Sequence, residues 1–191
     1  MKNTLNSTFG IDKFNHIDIE SNELHVVDYT ERTNSKRAVE VFCIKPSKID
    51  SLKISNPTKF PITTSIFKSQ CFMGNDGKEL KQCECILYPT TYTKDSLVLF
   101  IEIKDCKAKN IATHYDNIKE KFIVNVKLFR DKGVLEDDKI VYAVASFPRS
   151  NKTVFHNQFI TPPDIKDFRD NHKMIVMGTN NITIKDEKSI L

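Results

Sequence analysis

Apolar residues alternate with polar ones along most of the first hundred positions of this chain, the signature of strands whose side chains point to opposite faces. HIDIE (16–20), ELHVVDYT (23–30) and RAVEVFCI (37–44) read as short strands, with Asn34-Ser35 as a turn before the third. A short helix is expected around Ser47–Ile54, ending before Asn56 and Pro57. KFPITTSIFKSQCFM (59–73) is again β-rich, and Gly74-Asn75-Asp76-Gly77 is the strongest turn signal in the chain. Two further strands follow, KQCECILY (81–88) and SLVLFIEIK (96–104), joined through Pro89–Asp95.

Over residues 107–132 the period changes. Ile111, Tyr115, Ile118, Phe122, Val126 and Phe129 recur at helical spacing on one stripe, and Gly133 is a natural stop. KIVYAVASF (139–147) returns to a strand closed by Pro148, and a loop and short helix around Pro162–Asn171 have Thr161 or Asp164 as caps. MIVMGTNNITI (174–184) reads as a hairpin or a bulged strand. Strands, one long helix and another strand in that order make an α/β (α+β) pattern with antiparallel hairpins at its start.

Length and composition narrow the class. One domain is expected from 191 residues, and 39% apolar residues with thirteen Phe and no Trp suffice for a core. Five Cys are too sparse for a disulfide scaffold. No apolar run approaches the ~20 residues that span a bilayer, and MKNTLNSTFGIDKF has no apolar signal region, so no membrane association and a cytoplasmic location are expected. The formal charge of +4 is unevenly spread. Residues 1–44 carry five Lys+Arg and seven acids, 45–70 five Lys and one Asp, and 104–132 eight Lys+Arg and four acids. A basic middle of this kind can attract a polyanion, or form an ordinary solvated face.

The chemistry concentrates in SLVLFIEIK. Ser96, Val98, Phe100, Glu102 and Lys104 share one face, while Leu97, Leu99, Ile101 and Ile103 share the other, so the strand is expected to be central and covered on both sides. A carboxylate and an ammonium at its end cost free energy unless they are paired or bound to a metal. In KQCECILY, Gln82, Glu84, Ile86 and Tyr88 share a face that again carries an acid. If the two strands are neighbours, Glu84 and Glu102 converge. Two such carboxylates repel unless a cation lies between them, and oxygen ligands suit Mg²⁺ or Mn²⁺.

At these residues the chain resembles the PD-(D/E)XK nuclease superfamily, whose signature is an acid in one core strand, then acid–x–Lys in the next, then a helix. Glu84 stands at the first acid's place, where Asp is usual, and Glu102-Ile103-Lys104 matches the second element. The resemblance implies a restriction-endonuclease-like mixed central sheet flanked by helices, spanning about residues 45–147 of a single domain. Residues 1–44 would form a β-rich N-terminal extension, and 148–191 a C-terminal helix and strands. It further implies hydrolysis of phosphodiester bonds in nucleic acid, DNA rather than RNA. Glu84, Glu102 and the Ile103 backbone carbonyl would hold Mg²⁺ or Mn²⁺, and Lys104 would orient the attacking water. Lys107, Lys109 and Lys119 would contact phosphates, and His114 takes the place near the site where many relatives carry Gln.

Other constellations are weaker. Cys83 and Cys85 have the wrong spacing for zinc and fit a core, and the five His form no metal motif. A catalytically inactive module of the same fold, binding nucleic acid or a protein partner, remains open, as does a plain Glu102–Lys104 surface pair. The acidic first forty residues fit a dimerisation or partner-binding extension, so a homodimer is one arrangement open to the chain. Glu102→Ala and Lys104→Ala are expected to abolish cleavage while keeping the melting temperature nearly intact.

Overall fold

The computed structural model describes residues 1–35, 37–150 and 155–191. In chain order the elements are α1 (Lys2–Phe9), β1 (Phe14–Ile19), β2 (Glu23–Val27), α2 (Thr30–Thr33), β3 (Glu40–Phe42), β4 (Leu52–Ser55), β5 (Ile62–Phe67), β6 (Cys85–Pro89) and β7 (Leu99–Ile103). Then come a 3₁₀ segment (Ala108–His114), α3 (Tyr115–Asp131), β8 (Val141–Ser146), α4 (Phe155–Phe159), α5 (Pro162–His172), β9 (Met174–Gly178), β10 (Asn181–Asp186) and β11 (Ser189–Ile190). The strands form a six-stranded sheet, β1-β5-β6-β7-β8-β9, and a five-stranded sheet, β11-β10-β4-β2-β3.

Both sheets are mixed. β1, β5, β6 and β7 run antiparallel to their neighbours, whereas β7, β8 and β9 are parallel. Parallel neighbours need a crossover, and α3 provides it between β7 and β8. The face of the large sheet carrying Ile86, Tyr88, Val98 and Phe100 packs with Leu5 of α1, with Ile118, Phe122, Val126 and Phe129 of α3, and with Phe168 of α5. The opposite face, with Leu87, Leu99, Ile101 and Ile103, packs with Leu24 and Val26 of β2, Leu52 and Ile54 of β4 and Ile182 and Ile184 of β10. The result is an α+β fold of three layers: helices, large sheet, small sheet. β7 is buried at every position. Apolar residues on both faces, as read from its sequence, put it inside the sheet between β6 and β8.

Phe129 is the hub of the helical side. Its ring lies 5.4 to 6.1 Å from those of Phe9, Phe67, Phe72 and Phe100, so α1, the sheet and the segment after β5 meet on one residue of α3. Gly77 takes φ +74°, and its N–H closes the turn onto the Gly74 carbonyl at 3.0 Å, as the Gly-Asn-Asp-Gly sequence implied. α5 starts on a capping box: Thr161 accepts from the Asp164 N–H, and Asp164 returns a bond to the Thr161 N–H.

The structure corrects four local expectations. No helix forms at Ser47–Ile54; Leu52 and Ile54 alternate with half-buried neighbours as β4, because the small sheet needs a strand between β2 and β10. The stripe over 107–132 is two elements, a 3₁₀ segment and then α3. Thr113 donates its hydroxyl to the Asn110 carbonyl at 2.7 Å, a local bond that competes with the α ladder. β6 begins only at Cys85. β9 and β10 are neither hairpin nor bulged strand: the chain leaves the large sheet at Gly178 and enters the small one at Asn181. Residues 1–44 contribute α1 to the helical layer, β1 to the edge of the large sheet, and β2 and β3 to the small one.

Candidate functional site

The β6–β7 register sets the site. Cys85 pairs with Ile101, and the ladder runs one step further: the Glu84 N–H donates to the Ile101 carbonyl at 3.0 Å, while the Glu84 carbonyl accepts from the Phe67 N–H at 3.0 Å. Glu84 therefore stands beside the end of β7, next to Glu102. The Lys104 N–H donates to the Ser146 carbonyl of β8, which holds the residue after β7 in line with the strand. Side-chain alternation then brings Lys104 to the face of Glu102.

The three side chains meet. Lys104 Nζ lies 3.0 Å from Glu102 Oε1 and 3.1 Å from Glu84 Oε1, so one ammonium bridges both carboxylates. A second ammonium arrives from α3, where Lys121 Nζ lies 2.6 Å from Glu102 Oε1. Glu102 has no exposed surface, and its Oε2 is buried with no hydrogen-bond partner. Two carboxylates and two ammoniums cancel in charge, the condition under which buried ions are tolerated.

Electrostatics follow from this packing. Burial raises the Glu84 pKa above the usual carboxylate value and the Glu102 charge raises it further, against the pull of Lys104 and Lys121. At Lys104, burial works against the ammonium, but Glu102 and Glu84 together outweigh it and the net shift is upward. Burial holds the Cys83 and Cys85 thiols well above their ordinary range, so both stay protonated at neutral pH.

Glu84, Lys104 and Lys121 line a cavity of about 540 Å³ together with Thr30, Arg37, Lys81, Gln82 and Asn117, and Glu102 lies behind them. The cavity wall is pinned by Asn125 of α3, a fully buried amide. Asn125 Oδ1 accepts the Cys83 N–H at 2.8 Å and its Nδ2 donates to the Lys81 carbonyl at 2.7 Å. That clamp holds residues 81–83 against the helix instead of in the ladder. It explains why β6 starts late and why Cys83 packs on the helical side, while Cys85 faces the small sheet.

Sequence reasoning did not single out Lys121 or Asn125. The signal was Asn117, Lys121 and Asn125 at i, i+4, i+8, a polar line beside the apolar stripe. His114 ends the 3₁₀ segment, is half-buried, and is not among the residues lining the cavity. Lys119 is engaged elsewhere, with its Nζ 2.8 Å from Asp164 Oδ2 in the cap of α5. Lys107 and Lys109 are exposed on the rim of a neighbouring recess.

The donors for a cation are hard: two carboxylates and the carbonyl of Ile103, the last residue of β7. The buried Glu102 Oε2 has no hydrogen-bond partner and could serve as a ligand oxygen to a cation. Among the described residues no group of three or more His, Cys, Asp or Glu side chains is placed to hold a metal, so a cation here would complete its shell with backbone and water oxygens.

Two other polar chains resemble proton relays. His16 bonds Asn6 Oδ1 through Nε2 and Ser65 Oγ through Nδ1, at 2.9 and 2.7 Å, and Ser65 has no exposed surface to offer a substrate. His25 bonds Glu23 through Nε2 at 2.6 Å and Ser51 through Nδ1 at 2.8 Å, the reverse of the nitrogen order in serine hydrolases. Both join neighbouring strands.

No family model matches this chain, and no curated protein matches it. Among solved structures it is similar to SfsA of Pyrococcus furiosus in complex with Ca²⁺, at TM-score 0.24 and 14% identity. That likeness covers 67% of this chain and 52% of SfsA, so the chain spans about half of the SfsA length. A likeness of that size leaves the site to be read from its own residues. No helix among the described residues is long and apolar enough to cross a membrane.

Proposed function

We propose that the chain is a metal-dependent phosphodiesterase acting on nucleic acid, DNA in the first instance. The observation that carries this reading is the meeting of Glu84 and Glu102 on the Lys104 ammonium, at the end of a buried strand, with one Glu102 oxygen lacking a partner. Buried carboxylates at close range are costly to maintain, and function is one reason to keep them.

Glu84, Glu102 and the Ile103 carbonyl would hold Mg²⁺ or Mn²⁺. When bound, the cation would polarise a phosphate and lower the pKa of a coordinated water. Lys104 would turn from bridging the carboxylates to orienting that water and countering the charge that builds on the phosphate. Lys121 would hold Glu102 in place. Asn125 holds the strand lead-in, so the Glu84 arm has a defined origin.

One observation favours a second reading, a non-catalytic module that binds nucleic acid through the same face: both carboxylates already have ammonium partners in balanced number. Cleavage of duplex DNA separates the two. With Mn²⁺ or Mg²⁺ the wild type should cut, and it should not cut in EDTA. Glu84→Gln and Glu102→Gln should lose the activity, and Mn²⁺ binding by calorimetry should weaken in both. Equal trace cleavage by wild type and Glu102→Gln, with no heat of Mn²⁺ binding, would overturn the catalytic reading.

A further inference from the structure

The residue after Lys104 opens a second feature. Asp105 is buried, 2% exposed, and two arginines from distant parts of the chain approach it. Arg32 Nε, in the last turn of α2, lies 3.8 Å from Asp105 Oδ2, and Arg149 Nε, after β8, lies 3.5 Å from Asp105 Oδ1. The joint is fixed from behind by Asp28, which accepts the Asp105 N–H at 3.2 Å and the Thr30 N–H at 2.8 Å. Both guanidinium groups flank a recess of about 890 Å³ whose walls also carry Lys107, Lys109, Asn34 and Asn110.

Four cations surround one open recess over two buried carboxylates, which leaves its surface net positive. Among the described residues neither Lys107 nor Lys109 forms an ion pair, and both are exposed. Asp105 approaches each guanidinium from its Nε side, which orients the arginine before any ligand arrives. A planar guanidinium held in this way loses less entropy when it takes a phosphate oxygen. The recess also adjoins the cavity of Glu84 and Lys104. Lys104 and Asp105 are consecutive, and Thr30 lines the cavity while Arg32 lines the recess.

We infer that this recess binds successive backbone phosphates of a nucleic-acid strand, with Arg32 supplied by the N-terminal segment and Arg149 by the turn after β8. The inference rests on the reading of the neighbouring cavity as a nucleic-acid site. The segment containing α2, which sequence alone left as a partner-binding extension, thereby becomes part of the substrate surface. Phosphate contacts of this kind set affinity and register without reading bases.

Binding of a fluorescein-labelled 20-base-pair DNA duplex, followed by anisotropy in EDTA across a salt series, tests this apart from catalysis. Each phosphate contact contributes about 0.9 to the slope of log affinity on log salt. Arg32→Gln should lower that slope by about one, and Lys107→Gln with Lys109→Gln by about two, with an affinity loss of about tenfold or more at low salt. Lys188→Gln, in the exposed turn between β10 and β11, controls for loss of one charge and should leave the slope unchanged. Thermal melts establish that each variant is folded. Unchanged slopes in folded recess variants, or no binding by the wild type, overturn the inference. Displacement of the duplex by inorganic phosphate beyond that by chloride at equal ionic strength would make this a free-phosphate site and also overturn it. If the recess variants weaken binding as stated but the wild type never cleaves, only the catalytic reading falls. If the wild type cleaves and the recess variants bind as it does, only the recess falls.

Discussion

Glu102 decides the site because it has no exposed surface and serves two ammoniums. From sequence, Glu102→Ala is expected to spare stability. The structure reverses that expectation, since removing the carboxylate leaves Lys104 sharing Glu84 alone and Lys121 without its partner. Deleting one member of a buried ion pair costs about 3–5 kcal/mol. Denaturant titration of Glu102→Ala should show a loss of that order, and a loss under ~1 kcal/mol would mean that the network is well hydrated. Glu84 allows a pH test. Its folded pKa lies above the usual carboxylate value, so the folded state holds the proton more tightly than the unfolded chain. This residue's contribution to stability therefore falls as pH rises through the window above the ordinary value of 4.5. The melting temperature of wild type minus that of Glu84→Gln should decline across that window; a flat difference would contradict the upward shift.

At the scale of elements, α3 does two jobs with two faces. Its apolar stripe packs on the large sheet around Phe129; on its polar line, Asn117 and Lys121 line the cavity and Asn125 anchors residues 81–83 of its wall. Phe129→Ala removes the ring that four other aromatic residues contact, and such truncations cost about 3–5 kcal/mol. Chemical denaturation should report a destabilisation in that range. Asn125→Ala leaves the Cys83 N–H and the Lys81 carbonyl without their partners, at about 1–3 kcal/mol for an unsatisfied buried group. Hydrogen exchange at the Cys83 amide should accelerate far more than at the Ile101 amide in β7. Equal acceleration at both would show global loosening and no local clamp.

For the whole molecule, the N-terminal segment is the point at issue. Residues 1–44 supply strands to both sheets, and Leu5, Phe14, Leu24 and Val26 from it are buried in the two cores. Removing the segment would expose the β5 edge of the large sheet and the β4 edge of the small one. A truncated protein beginning at residue 45 should show no cooperative thermal transition by circular dichroism. A sharp melt close to that of the full chain would make residues 1–44 a detachable extension. The same architecture joins the site to the recess, because Asp28 ties the N-terminal strands to the residue following Lys104.

Several features were determined by the sequence alone. Leu97, Leu99, Ile101 and Ile103 alternating with Val98 and Phe100 required a strand covered on both faces, and two-residue spacing required Glu102 and Lys104 to share a side. The helical stripe from Ile118 to Phe129 and the Thr161 cap were equally plain, since both are set by neighbours a few residues apart. Local patterns of this kind survive without the fold. Tertiary structure alone decided the rest. That Glu84 stands beside Glu102 depends on the β6–β7 register, and that Lys121 completes the network depends on how α3 is rotated over the sheet. Asp105 meets Arg32 and Arg149 across long stretches of chain. Ion pairs between distant residues leave no periodic trace in a sequence, because charge acts through distance in space and says nothing of separation along the chain.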